Sequence, residues 1–470
     1  MARKKKIVEN VLIHGIADRG KAVGRDAEGK VYFVDKAVPG DIVDVLVLRK
    51  KKSFSQGIVK QYRQYSADRV DPLCQHFGSC GGCKWQNLSY DIQVKHKHQT
   101  VVNAMTRLAK LSEDKILPIV PCKEIFYYRN KLEYSFSNKR WLTPEEIASG
   151  EDFPMEKALG FHAPGSFDKV VTIDTCHLQE GTTNKIRNYI RSIAEELKLS
   201  FYDAREHQGF FRNMIFRNNR KGEWMVTMIF GENNTELIED ILNRLISTFP
   251  EITSLYYIIN TKKNDSFFDL DPISFFGEDH LKEHLGPINY KIGPKSFFQT
   301  NTKQAEVLYN LVLEFSALQG NENVYDLYTG IGSIALFLAH ACAKVVGIEE
   351  VTSAIEDAES NKLLNNISNA VFYAGDVKDI LTDEFRDVHG RPDLVVTDPP
   401  RAGMHPKVVQ YLLDLESPKI VYVSCNPATQ ARDLALLSEK YAVKKVQPVD
   451  MFPHTHHIES IALLEIESEF

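Results

Sequence analysis

Two groups of residues in this sequence could do chemistry, and both are cysteines. Cys425 follows the β-rich run Lys419-Ile420-Val421-Tyr422-Val423-Ser424 and precedes Asn426-Pro427, which stops a strand abruptly. A thiol at the carboxyl end of a buried strand stands at the edge where open α/β sheets collect ligands, so it is a candidate nucleophile. The competing reading is a core cysteine, because free cysteine is among the most buried residue types. The second group is Cys74-x5-Cys80-x2-Cys83, with Gly78, Gly81 and Gly82 between and beside the thiols. Glycines let the backbone fold tightly around a centre, with amide hydrogens turned toward sulfur. Cys176, in Ile173-Asp174-Thr175-Cys176-His177-Leu178, is the best fourth ligand. Four cysteines suit a 4Fe-4S cluster or a tetrahedral zinc; ligand type and a spacing unlike a zinc ribbon favour the cluster. Loop cysteines without metal are the remaining alternative.

A strand-end cysteine needs a sheet behind it. From residue 291 onward the sequence alternates strand, loop and helix. Strands are expected at Asn323 to Leu327, Lys344 to Ile348, Ala370 to Tyr373, Asp393 to Thr397 and Ile420 to Val423. Helices are expected at Ser333 to His340, Thr352 to Asn365, Pro406 to Leu413 and Thr429 to Lys440. This alternation implies a doubly wound, Rossmann-like α/β sheet, largely parallel and covered on both faces. Tyr328, Gly330 and Gly332 follow the first strand, Glu349 the second, Asp376 the third, Asp398-Pro399-Pro400-Arg401 the fourth and Cys425 the fifth. Five loops at one edge define one site. Gly330-x-Gly332 lets the backbone approach a ligand, and Glu349 can hold a ribose diol. The phosphate-loop Gly-Lys-Ser/Thr is missing, which argues against a nucleotide hydrolase. The set suits S-adenosylmethionine, a cation with no phosphate to cradle, with Asp376 near its adenine. The alternative is a generic doubly wound domain with loop acids in water.

At 470 residues the chain has room for two to four domains. Seven unevenly spaced cysteines, in a chain without a signal peptide or an 18-residue apolar run, argue against a disulfide framework and against a membrane span, and place the protein in the cytoplasm. The net charge of −6 hides an asymmetry: residues 1–65 hold 15 Lys and Arg against 7 Asp and Glu, a net +8, leaving −14 for the remainder. The basic end is the natural place for a polyanion, unless Arg3-Lys4-Lys5-Lys6 and Arg49-Lys50-Lys51-Lys52 are simply solvated loops.

Residues 1–65 read as a small OB-like β-barrel, with period-two runs separated by glycine and proline turns. In its Gly15-Ile16-Ala17…Gly20…Gly24 opening and its Val38-Pro39-Gly40-Asp41 turn it resembles the TRAM module, which implies RNA binding. Residues 66–290 form an expected central α+β domain. It opens with the cysteines and a helix near 89–111 that packs on another domain, its basic Lys95, His96, Lys97 and His98 in solvent. Phe126-Tyr127-Tyr128-Arg129-Asn130-Lys131 and Gly209-Phe210-Phe211-Arg212-Asn213 could stack unpaired bases and hold phosphates, although such rings are by default core. Leu132 to Phe136 and Trp224 to Phe230 read as strands of an antiparallel sheet.

Asp326-Leu327-Tyr328-Thr329-Gly330-Ile331-Gly332, Asp398-Pro399-Pro400-Arg401-Ala402-Gly403, Val423-Ser424-Cys425-Asn426-Pro427-Ala428-Thr429 and Phe452-Pro453-His454-Thr455-His456-His457-Ile458-Glu459 resemble the RNA (uracil-5-)-methyltransferase family over nearly the whole chain. The barrel and the cysteine triad match its 23S ribosomal RNA branch. That resemblance implies S-adenosylmethionine dependence and a 4Fe-4S cluster. It also implies cofactor contacts at Gln299, Tyr328, Ser333, Glu349, Asp376 and Asp398, the nucleophile at Cys425 and a base at Glu459. Tyr328 and Thr329 stand where the family often has Phe-Cys, and Ser333 and Asp376 where some members have Asn. The chemistry explains the pair: carbon 5 of uracil becomes nucleophilic only after a thiolate adds to carbon 6, and a base must then remove the hydrogen from carbon 5. Cys425 needs activation, from the helix beginning near Thr429 or from Arg401, and the target is expected to be a single-stranded or bulged uridine met by a monomer. A transfer-RNA enzyme, a non-catalytic RNA-binding factor and a cluster-based redox protein are the rivals.

Overall fold

The structure is a computed structural model that describes residues 6–17, 20–155 and 157–467. Of the basic Arg3-Lys4-Lys5-Lys6 run, residues 3–5 lie outside the described residues. Strands β1 (Ile7–Ile16), β2 (Ala22–Arg25), β3 (Val31–Asp35), β4 (Ile42–Lys50) and β5 (Phe54–Gln64) close a barrel in the order β1-β2-β3-β5-β4. Alternation puts Val11, Ile13, Tyr32, Val34, Val43 and Val45 inside. In the Val38-Pro39-Gly40-Asp41 turn, the buried Asp41 accepts from the amides of Val38 (2.8 Å) and Ser66 (2.9 Å) and pairs with Arg69 (2.6 Å). One carboxylate thus ties the barrel to the chain that leaves it.

Helix α1 (Tyr90–Arg107) follows. The central sheet runs β12-β11-β10-β9-β6-β7-β8, from β6 (Lys131–Ser137), β7 (Ala158–His162), β8 (Val170–Thr172), β9 (Phe211–Asn218), β10 (Trp224–Phe230), β11 (Ile252–Ile259) and β12 (Ile273–Gly277). Helices α2 (Pro144–Ser149), α3 (Thr182–Glu196) and α4 (Thr235–Thr248) interrupt it. Contrary to the all-antiparallel expectation, β10 and β11 run parallel, because α4 carries the chain back between them. A second correction concerns Gly209–Asn213. Phe210 and Phe211 are core, and Arg212 is buried over the Tyr202 ring, donating to the carbonyls of Asn260 and Lys262 at 2.7 Å each. That stretch holds the sheet together and offers nothing to a phosphate.

A hairpin, β13 (Leu281–Leu285) and β14 (Ile288–Ile292), and helix α5 (Thr302–Ser316) lead into the last sheet. Its strands are β15 (Asn323–Leu327), β16 (Lys344–Glu349), β17 (Ala370–Ala374), β18 (Leu394–Thr397), β19 (Lys419–Ser424), β20 (Tyr441–Val449) and β21 (Glu459–Ile466), in the order β17-β16-β15-β18-β19-β21-β20. The first five are parallel, as the buried apolar runs imply, and β21 enters antiparallel beside β19. Helices α6 (Ser333–Ala339), α7 (Thr352–Leu364), α8 (Val377–Ile380), α9 (Asp383–His389), α10 (Pro406–Leu415) and α11 (Pro427–Leu437) lie along the crossovers. Strand order reverses between β15 and β18, and loops diverge there to leave a crevice at the carboxyl edge.

Helix α1 joins the modules. Its Val101, Val102 and Met105 share one apolar cluster with Leu434 and Leu437 of α11. Lys97, expected in solvent, is instead 1% exposed and paired with Asp450 at 2.6 Å. Among the described residues no helix is long and apolar enough to cross a membrane.

Candidate functional site

The crevice is a cavity of about 1050 Å³. It is lined by Gln299, Tyr328, Gly330, Ser333, Glu349, Asp376, Asp398, Cys425 and Glu459. Gly332 is not on its wall. At φ +75° it forms the N-cap of α6, and a Cβ there would come within 3.0 Å of the Phe372 ring. Tyr328 is held at φ +67°, the kind of strained residue that clusters where ligands bind. Glu349 ends β16 and accepts from the amides of Gly330 and Val351, both at 3.0 Å, which orients its carboxylate. Ser333 accepts from the Tyr309 hydroxyl at 3.0 Å. Asp376 caps α8 and is ion-paired with Lys378, which holds its carboxyl below the usual range. Among the described residues, Asp326 Oδ1 on the crevice wall has no hydrogen-bond partner. Acceptors at the strand ends, a glycine turn without a lysine and this unpartnered buried oxygen fit a cationic nucleoside such as S-adenosylmethionine.

Register brings the thiol and the carboxylate together. The antiparallel ladder β19–β21 ends with Ser424 opposite Ser460, and the next residue on each strand, Cys425 and Glu459, lines the crevice, near enough for the carboxylate to act on the thiol. Gln430 of α11 clamps the pair, donating to the Tyr422 carbonyl (2.8 Å) and the Ser460 carbonyl (3.1 Å). Burial, and then the charges of Glu459 and Asp398, push the Cys425 thiol up to about 11, while Arg401 opposes them by charge and hydrogen bond. The expected activation is therefore outweighed by burial and the two carboxylates. Burial followed by Asp398 raises Glu459 well above the usual carboxylate range. Asp398 is pushed up to about 7 by burial and then by Asp326, itself pushed up to about 7 mainly by burial. Asp326 is a third acid that the motif Asp326-Leu327-Tyr328 displays but that sequence reading left without a task. Arg401 donates to His457 Nδ1 at 3.1 Å, and burial with cations nearby pushes His457 down to about 3, so the ring is a neutral acceptor.

The second cavity, about 380 Å³, is lined by Cys74, Cys80, Cys83 and Cys176. Amide and carboxamide hydrogens point at sulfur: Gly82 N–H donates to Cys80 (3.4 Å) and Gln86 Nε2 to Cys83 (3.3 Å). Cys176 is fixed by its amide donating to Asn184 Oδ1 at 2.8 Å. Among the described residues no three donors are close enough to hold one metal ion. Four thiols lining one cavity match, in number and type, the ligand set of an iron-sulfur cluster or of a tetrahedral zinc. Cys122 and Cys342 are buried outside both cavities.

Fold and cavity define a doubly wound methyl-transfer domain carried with a five-stranded barrel and a central domain. The family model described as tRNA (Uracil-5-)-methyltransferase matches residues 182–467, and the TRAM domain model matches residues 5–60. An uncharacterized RNA methyltransferase of Bacteroides thetaiotaomicron is 49% identical over 454 residues, covering 96% of this chain and 100% of its own length. Another from Porphyromonas gingivalis is 47% identical, covering 97% of this chain and 100% of its own. The crystal structure of Pyrococcus abyssi tRNA (uracil-54, C5)-methyltransferase in complex with S-adenosyl-L-homocysteine is 29% identical, with a TM-score of 0.75 over 97% of this chain and 99% of that one. The chain belongs to the RNA uracil-5-methyltransferase family and is an S-adenosylmethionine-dependent RNA methyltransferase with a TRAM domain.

Proposed function

We propose that this enzyme methylates carbon 5 of a specific uridine in 23S ribosomal RNA, acting as a cytoplasmic monomer, with Cys425 as nucleophile and Glu459 as base. The observation that carries it is that Cys425 and Glu459, which follow the last pair of the β19–β21 ladder, line the same crevice. Bound at Gln299, Tyr328, Ser333, Glu349, Asp376 and Asp398, S-adenosylmethionine supplies an electrophilic methyl group. Cys425 gives up its proton to solvent and adds as thiolate to carbon 6, leaving carbon 5 electron-rich, and Arg401 favours the charged thiol. After methylation, ionised Glu459 takes the hydrogen from carbon 5, the ring double bond re-forms and the sulfur leaves as thiolate. Burial in the crevice makes Glu459 a stronger base than a carboxylate in water. The target base has to leave its stack to enter, which favours a single-stranded or bulged uridine. Cys74, Cys80, Cys83 and Cys176 would hold a 4Fe-4S cluster in a structural role, shaping the central domain. A transfer-RNA substrate is the second reading, favoured by the full-length likeness to the Pyrococcus enzyme. Mapping 5-methyluridine in 23S ribosomal RNA and in transfer RNA of a deletion strain decides. Loss from ribosomal RNA alone is expected, and loss from transfer RNA alone would reverse the assignment.

A further inference from the structure

Residues 450–458 form the loop joining β20 to β21, and the hairpin ladder pairs Val449 with Glu459 at its neck. Whatever fixes this loop fixes the base. Its middle residue, His454, sits at φ +64°, a conformation that non-glycine residues keep only where their surroundings impose it. Both of its peptide groups are held from outside. Its N–H donates to Gln93 Oε1 at 2.9 Å, and its carbonyl accepts from the amides of Lys84 (2.8 Å) and Trp85 (3.1 Å). Lys84 and Trp85 directly follow Cys83, so the cysteine segment grips the loop.

Helix α1 grips it with three side chains, Gln93, Lys97 and Tyr90. Gln93, fully buried, spends its amide hydrogens on the Trp85 and Leu88 carbonyls at 2.9 and 2.8 Å. Lys97 reaches Asp450 Oδ1 at 2.6 Å and the Phe452 carbonyl at 3.0 Å, while the Tyr90 hydroxyl donates to Asp450 Oδ2 at 2.9 Å. The Tyr128 hydroxyl donates to the Pro453 carbonyl at 3.0 Å. From the barrel, the Gly20 carbonyl accepts from the Trp85 indole at 3.3 Å, and a Cβ on Gly20 would lie 3.0 Å from His456 Cβ.

We infer that Gln93 and Lys97 are positioning residues for Glu459, acting through this loop. The inference rests on Glu459 being the base. Cys425 hangs from β19 and α11 and meets the loop indirectly, through the Arg401–His457 hydrogen bond, so its addition to carbon 6 and the methylation of carbon 5 survive when the loop slackens. Removal of the hydrogen from carbon 5 does not, and without it the carbon–sulfur bond stays intact. A slack loop therefore stalls the reaction on a methylated RNA still bonded to Cys425.

The test uses the full chain with radiolabelled S-adenosylmethionine and substrate RNA. Gln93→Met is compared with wild type and Glu459→Gln, beside the double variant Lys97→Met/Asp450→Asn, which removes a buried ion pair without stranding either charge. In each loop variant turnover is expected to fall about tenfold or more with the KM for S-adenosylmethionine unchanged, as denaturant-resistant protein–RNA adduct rises toward the Glu459→Gln level. Should Glu459→Gln trap adduct while both loop variants show no more than wild type, the positioning role is wrong. If cofactor affinity falls in step with turnover, the residues serve the general fold, which also overturns it. If Glu459→Gln itself traps nothing, the base assignment falls and takes the positioning role with it.

Discussion

The two cavities both bury thiols and treat them differently. Burial pushes Cys80 and Cys83 up to about 12 and Cys425 up to about 11. Around Cys80 the neighbours are the Gly82 amide and three other thiols; around Cys425 they are two carboxylates and a guanidinium. A set of thiols has nowhere to send its protons and becomes charged only when a metal group arrives to share the charge. Cys425 has carboxylates beside it that can exchange protons, so its charge can come and go within a catalytic cycle. The first arrangement suits a permanent ligand set and the second a reversible nucleophile.

Replacing one thiol in each cavity should separate the two roles. Cys425→Ala is expected to lower methyl transfer by at least about 10⁴-fold while metal content and melting temperature stay at wild-type values, measured by transfer of labelled methyl to RNA. Cys80→Ser or Cys83→Ser is expected to lose bound iron and its visible absorption and to destabilise the protein by at least about 3 kcal/mol in chemical denaturation. A colourless wild type containing zinc would contradict the cluster.

The acids beside Cys425 give the smallest effect and the sharpest sign. Asp398 has its folded value raised to about 7 from 3.8, so the folded protein holds this proton more tightly than the unfolded chain. The stability from that proton is complete below the unfolded value and is lost as pH rises toward and past about 7. Asp398→Asn is therefore expected to raise the stability of the cofactor-free protein by about 2 kcal/mol at pH 8 and to match wild type near pH 4, read by denaturant melts at both values. A variant less stable than wild type at pH 8 would show that Asp398 is not buried against other charges.

Much of the site was legible because it is local. Buried β-branched runs ending in glycine, acid or cysteine marked β15 to β19 to within a residue or so, and with them Tyr328, Glu349, Asp376, Asp398 and Cys425. Helix α5 went unread although Asn301 caps it and Ala305, Leu308, Tyr309, Val312 and Phe315 recur at helical spacing. Strand β20 was obscured by Lys444-Lys445 and Pro448, residue types that strands confine to their edges, and β20 is indeed the edge of its sheet. Lys97 was misplaced for a deeper reason. In a Lys-His-Lys-His run nothing local distinguishes it, and its partner Asp450 lies 353 positions away. Gln93 and His454 are 361 apart, so the grip on the loop before Glu459 was invisible until the modules were folded together.

The central claim is that Cys425 and Glu459 act in sequence on one uracil ring. Glu459→Gln, incubated with S-adenosylmethionine and substrate RNA and run on a denaturing gel, tests it most directly. A retarded band carrying both the methyl label and the RNA is expected, absent when Cys425→Ala is added. Free methylated RNA released at the wild-type rate would contradict it.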